Sequence, residues 1–249
     1  MKALLGAAVL LALSGQGAPP GARVPVLVEL FTSEGCSSCP AADALLETLQ
    51  REQSVEGVEI IPIGLHVDYF DHLGWKDPFS SSSFTARQQN YSQIFGADSM
   101  YTPQMVVDGR EAIVGNDDVL VRRAVGSAAL LPHLPVRVAA REAAGHVRLT
   151  IRLPAGPMES EKIQVLAAVT EDGLTSIVKR GENSGRTLHH VAVVRSLRVL
   201  DSLTAAESVV ESQFQIGRSW RPDGLKLVVW LEGSKSRHVY GAAIARISG

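Results

Sequence analysis

Cys36 and Cys39, in the stretch VLVELFTSEGCSSCPAAD between Val26 and Asp43, are the only two cysteines of the 249-residue chain. A Cys-x-x-Cys that closes the loop after an apolar strand and opens a helix has a direct chemical use. The helix N-terminus presents unpaired N–H groups and partial positive charge, and both favour a thiolate. In that arrangement Cys36 sits at the positive end as the nucleophile. Cys39, one turn further in, attacks a mixed disulfide and releases the bound partner. Pro40 is tolerated there because the first helical turn has no intrahelical N–H bond to lose. This reading makes Cys36 the more acidic and more exposed thiol.

Three other chemistries compete for the pair. A structural staple across so few residues removes only about 2 kcal/mol of chain entropy, and a secreted chain that needs staples usually carries more cysteines. A zinc clip wants three or four ligands, yet there is no second cysteine pair and no His-x-x-x-His. A Cu(I) carrier is chemically reasonable, because soft thiolates select Cu(I) and His66 or His72 can approach from the end of the second strand.

Other residues bear on the pair. Glu29 stands inside the apolar strand VLVELF and is either a buried carboxylate or a residue on a solvated face. Glu34 reads as a loop glutamate. Ser37 and Ser38 can donate hydrogen bonds to a thiolate but carry no charge, so they leave the direction of electron flow open. The loop HVDYFDHLGWKDPF brings Asp68, Tyr69, Phe70 and Trp75 near the strand ends, as structure more than as chemistry. Arg186, His189, His190 and Arg195 read as turn and strand-edge residues ahead of a binding patch.

The elements that must position these residues follow from periodicity. VPVLVELF is strand-like, and Pro40 to Glu52 is helical with Ala42, Leu45, Leu46 and Leu49 on one face. VEIIPIGLHV is a second buried strand. FTARQQNYSQIF is a short helix with Phe84, Gln88, Tyr91 and Phe95 on one side. PQMVVDGREAIVG is a hairpin turning at Asp108-Gly109. Asn116 caps a last helix that buries Val121, Ala124, Ala128 and Leu131. The order is βαβαββα. After the prolines of LLPHLP the pattern alternates, with Val147, Leu149, Ile151 and Leu153 pointing one way, and five more strand-like runs follow. The expected organisation is an α/β domain over residues 23–131 followed by an antiparallel β-sandwich-like domain over residues 135–249.

The composition, 45% hydrophobic and 20% charged, is that of an ordinary globular chain, and the net charge of -2 is spread without a basic stripe. Nucleic acid is therefore not an expected partner. Residues 1–22, with one lysine ahead of the apolar run from Ala3 to Leu13 and then small residues, have the order of a signal peptide. The run is too short to span a bilayer. No membrane span is expected after cleavage, and the expected location is periplasmic or secreted, where cysteines meet an oxidising environment.

The βαβαββα order, the cysteine pair at the first strand-to-helix junction and Pro103 at the entry to the third strand together resemble the thioredoxin fold. That resemblance implies a cis peptide bond at Thr102-Pro103 and a substrate-binding role for both residues. It also implies for Glu29 the role of a buried proton relay to Cys39. More closely, ELFTSEGCSSCPAAD, HVDYFDHLGWKDPF, YTPQMVVDG and GENSGRTLHHVAVVR resemble the secreted, thioredoxin-like bacterial family catalogued as domain of unknown function 1223. The resemblance implies a thiol-disulfide oxidoreductase and no named substrate; the expected reaction is exchange with thiol- or disulfide-containing proteins or peptides, with no cofactor or metal needed. Its redox partner is unspecified. A copper-binding carrier and a non-catalytic binding module stand as alternatives.

Overall fold

The computed structural model describes residues 23–156 and 161–248, so the expected signal segment lies outside the described residues. The first half runs β1 (Val24–Thr32), α1 (Cys39–Glu52), β2 (Val58–His66), α2 (Ser82–Ile94), β3 (Gln104–Val107), β4 (Glu111–Val114) and α3 (Asp118–Ala129). The second half is all strand apart from one short turn of helix: β5 (Arg137–Ala143), β6 (His146–Leu153), β7 (Ile163–Glu171), β8 (Leu174–Ile177), β9 (Thr187–His190), β10 (Val193–Ser202), β11 (Ser208–Gln215), β12 (Leu225–Gly233) and β13 (Val239–Arg246).

Eight strands make one mixed sheet in the order β13-β12-β7-β10-β2-β1-β3-β4. β1 and β2 are parallel from Val24 opposite Val58 to Thr32 opposite His66, and β3 runs antiparallel to β1. Central strands covered on both faces carry little alternation, which is why VPVLVELF reads as a continuous apolar run. Val26, Val28 and Leu30 face α1 and α3, packing on Ala42, Leu46, Leu49, Val121 and Val125. Leu27 and Phe31 face the other way, toward Tyr91 of α2 and Trp230 of β12. A three-stranded sheet, β11-β6-β5, lies over β7 and β12 and buries Val147, Leu149, Ile151 and Leu153 as their alternation requires. The main sheet therefore runs unbroken past residues 131–135: β7, β10, β12 and β13 extend it, and β10 pairs with β2 at Val193 and Gly64.

The expected hairpin stands where periodicity placed it, while other local expectations meet the structure with changes. The β3–β4 hairpin turns at Asp108 (φ 45°) and Gly109 (φ 63°), closed by the Arg110 N–H donating to the Val107 carbonyl at 2.9 Å. Asp117, and not Asn116, caps α3, its carboxylate accepting from the Leu120 N–H at 3.0 Å. The run LHHVAVVRSLRVL breaks into β9 and β10 at Ala192, whose φ is 51°. β5 and β8 are short or partly exposed strands that alternation did not reveal. No helix among the described residues is long and apolar enough to cross a membrane.

Candidate functional site

Cys36 and Cys39 are joined as a disulfide in a turn between the end of β1 and the start of α1. The helix begins at Cys39, with Ser38 at the N-cap and Pro40 in the first turn. This corrects the expected placement, since Cys36 precedes the helix instead of opening it. The Cys36 carbonyl accepts the Cys39 N–H at 3.2 Å, which curls the chain into the helical entry. Cys36 is 3% exposed and Cys39 is fully buried, whereas Ser37 and Ser38 between them are exposed. The expected contrast between an open Cys36 and a closed Cys39 is therefore slight. Gly35 sits where a Cβ would lie 2.9 Å from the Phe70 Cβ, so the aromatic loop packs this closely only against glycine.

Part of what covers the pair comes from the second half. Asn183, buried in the loop between β8 and β9, donates through Nδ2 to the carbonyls of Glu34 (2.9 Å) and Cys36 (2.8 Å). The carboxylate of Glu182 accepts the Ser37 N–H at 2.9 Å, and hydrogen bonds from the Ser37 side chain and from this N–H hold its pKa below the usual carboxylate value. Gly181 takes a φ of 78° and brings this loop to Trp75.

Beneath the turn lies a buried cluster of three carboxylates and two imidazoles. Asp77 accepts from the Glu34 N–H at 2.8 Å and lies 2.7 Å from His66 Nδ1. Glu34 Oε2 accepts from Trp75 Nε1 at 2.7 Å, and Glu34 Oε1 is 3.2 Å from His190 Nε2. Asp43, four residues beyond Cys39 on α1, accepts from the Thr32 hydroxyl at 3.0 Å. Its other oxygen is 3.7 Å from His190 Nδ1, which has no hydrogen-bond partner among the described residues. The rings of His66 and His190 meet edge to face at 4.9 Å.

Burial raises the Asp43 pKa, outweighing the pull of His190 and His66 and the Thr32 hydrogen bond. Burial opposes a charged His66, but the Asp77 charge and hydrogen bond raise its pKa overall, with help from Asp43 and Glu34. For Asp77 burial works upward, and His66 with two backbone N–H bonds brings the net shift below the ordinary value.

Glu29 is not part of this cluster. It is fully buried, so the solvated-face reading fails, but it points to the α2 face, where Arg87 Nε and Nη2 donate to its two oxygens at 2.6 and 3.0 Å. Tyr91 donates to it at 2.5 Å, and Arg87 continues to Glu232 of β12. Thr102-Pro103 is a cis peptide, and register places Pro103 level with Thr32, at the sheet end from which the cysteine turn springs. Asp68 ties down its loop through the Thr85 hydroxyl at 2.5 Å. His66 is held by Asp77 and His72 is exposed; among the described residues no group of three or more His, Cys, Asp or Glu side chains is arranged to hold a metal ion.

Two expectations are corrected here. Glu34 is fully buried because Trp75 and His190 converge on its carboxylate. His190 is 3% exposed and belongs to the site, while Arg186 and His189 stay on the surface. Asp43, Asp77, Glu182 and Asn183 were not singled out from the sequence. The motifs GENSGRTLHHVAVVR and SCPAAD held the available signal, as polar residues within stretches that otherwise fold into buried structure.

The model of the family described as "Protein of unknown function (DUF1223)" matches residues 27–232. No curated protein matches the chain. Among solved structures, the crystal structure of a protein from Agrobacterium tumefaciens is similar at 25% identity and a TM-score of 0.69, covering 91% of this chain and 96% of that one. A domain of the outer membrane lipoprotein Omp28 from Porphyromonas gingivalis gives 11% identity and a TM-score of 0.31 over 47% of this chain and 90% of that one, too low to carry an argument.

Proposed function

We propose that this chain, which belongs to the family described as "Protein of unknown function (DUF1223)", is an exported thiol-disulfide oxidoreductase with a thioredoxin-like N-terminal half. One observation carries the reading: the Cys36–Cys39 disulfide sits at the entry to α1, above five buried ionisable groups, at the same sheet end as Thr102-Pro103. A structural staple has no need of such surroundings. Residues 1–22 support export by their order of charge, apolar run and small residues.

In the exchange an incoming thiolate attacks Cys36 Sγ, the Cys36–Cys39 bond breaks, and Cys39 leaves with the electron pair. The substrate's second thiolate then attacks the sulfur bound to Cys36. The substrate departs as a disulfide, and both cysteines are left reduced. The reverse sequence oxidises the pair. The N–H groups at the start of α1 stabilise the thiolates, and the exposed Ser37-Ser38 edge with Thr102 and Pro103 is the docking face for an extended peptide. Full-length mature protein equilibrated with glutathione or dithiothreitol buffers, then alkylated and weighed, should gain two labels together over a defined potential range. A pair that stays fully oxidised or fully reduced in every such buffer overturns the proposal.

A further inference from the structure

The exchange needs a proton at Cys39 each time its thiolate leaves, and Glu29, held by Arg87 on the opposite face, is not placed to give one. We infer that Asp43 is the proton carrier of Cys39, with His190 from the second half of the chain as the residue that positions and polarises it. This rests on the proposed redox reading and adds a catalytic part to it.

The geometry is specific. Asp43 and Cys39 are both buried and four residues apart on α1, which puts their side chains on one helix face with about 5–6 Å between Cβ atoms. Thr32 holds one carboxyl oxygen, leaving the other toward His190 Nδ1. His190 is itself aimed by Glu34 at Nε2. The unpartnered Nδ1, in a ring that is 3% exposed, is the kind of buried polar atom that needs a reason. It sits 3.7 Å from Asp43, close enough to bond after a small shift or through one water. The charged and titratable groups around Asp43 are His190, His66 and Asp77, with Glu34 behind His190. Burial raises the Asp43 pKa, which brings a carboxyl toward the range useful for proton transfer near neutrality.

The step balances as follows. A dithiol reductant loses one proton to solvent and attacks Cys36 as thiolate. The disulfide breaks, and the Cys39 thiolate takes the Asp43 proton. The second reductant thiol also loses its proton to solvent, and its thiolate attacks the reductant sulfur bound to Cys36; the reductant leaves as a disulfide, the Cys36 thiolate is reprotonated from solvent, and Asp43 recovers a proton from solvent through His190. In the oxidising direction the Asp43 carboxylate removes the Cys39 proton, so that Cys39 can attack the mixed disulfide on Cys36.

The test is reduction of the full-length protein by dithiothreitol between pH 5 and 9, each rate divided by the reductant's thiolate concentration. The wild-type quotient should fall as pH rises through the Asp43 ionisation. Asp43→Asn should be about tenfold slower or more at the acid end, with a flat profile. Asp43→Glu should restore a slope, and His190→Gln should displace the inflection. Thr32→Val, which removes a hydrogen bond that favours the carboxylate, should move the inflection to higher pH. It also serves where Asp43→Asn folds poorly. A flat wild-type profile, or an unchanged slope in Asp43→Asn, overturns the inference while leaving the redox reading intact. A disulfide that cannot be cycled at any pH defeats the redox reading itself.

Discussion

Two buried polar clusters lie on opposite faces of the same sheet, and they are built to opposite rules. On the α2 face, Glu29 and Glu232 are matched by Arg87 and Arg237, with Tyr91 donating to Glu29 Oε1 and Trp230 to Glu232 Oε2, each an oxygen that Arg87 also holds. Burial opposes the Arg87 charge, yet Glu29, Tyr91 and Glu232 raise its pKa well above the ordinary value. Tyr91, whose pKa burial raises well above the ordinary value, keeps its proton near neutral pH, as Arg87 does. Under the cysteines, three carboxylates meet two histidines, and among the described residues His190 Nδ1 and Asn183 Oδ1 have no hydrogen-bond partner. A closed set of fixed charges clamps the two halves together. An open set of titratable ones is what the proposed proton transfer needs.

The first way to break that contrast is to remove the clamp. Arg87→Met leaves Glu29 and Glu232 buried without their shared cation, and the expected loss is about 3–5 kcal/mol in denaturant unfolding. Because Arg87 joins β1, α2 and β12, the loss should appear as one cooperative transition for the whole chain. A change below about 1 kcal/mol would mean that the two carboxylates simply take up protons.

Asn183→Ala tests the other side at lower cost. The amide is the shared donor to two buried carbonyls, so its removal should destabilise by about 1–3 kcal/mol. It should also ease local opening of the loop over the disulfide, since each kcal/mol changes an opening population by about fivefold. Reduction by dithiothreitol should accelerate by about that factor. Destabilisation without acceleration would mean that the loop is not what limits access to Cys36.

What the sequence makes legible divides along the same line. The cysteine spacing, the Asp108-Gly109 turn and the inward register of β6 are local, so periodicity and turn chemistry reach them. The environment of the pair is not local. Asn183 reaches Cys36 across 147 positions, and His190 reaches Glu34 across 156. No pattern in GENSGRTLHH tells which strand end it will cover. Glu29 shows the limit on a shorter scale: its place in an apolar strand signals burial, and its parity with Leu27 and Phe31 signals a face. Which helix occupies that face is decided by tertiary packing.

The smallest expected effect is a dependence of stability on pH to which the cysteine side contributes through His66. Outside both clusters, burial opposes a charged His133, but the Asp108 hydrogen bond and charge raise its pKa overall, which adds a decline of the same sense. His66 has a raised pKa in the folded protein, so its contribution is complete below the unfolded histidine value of about 6.5 and fades as pH rises through the folded value. Asp43, also raised, acts in the same sense over its own range, starting from the ordinary value of 3.8. Asp77 is lowered and acts in the opposite sense, contributing above 3.8 and losing that contribution as pH falls through its folded value. Stability should therefore be greatest in weak acid and decline above about pH 6.5. His66→Gln should reduce that decline to the part His133 contributes, because the glutamine has no proton to lose over this range. The Arg87 cluster should add no slope there, since its guanidinium stays charged throughout. Urea midpoints from pH 5 to 9 for wild type, His66→Gln and Arg87→Met separate these terms. A decline that persists unchanged in His66→Gln would place the titrating group elsewhere and remove the functional distinction drawn between the two clusters.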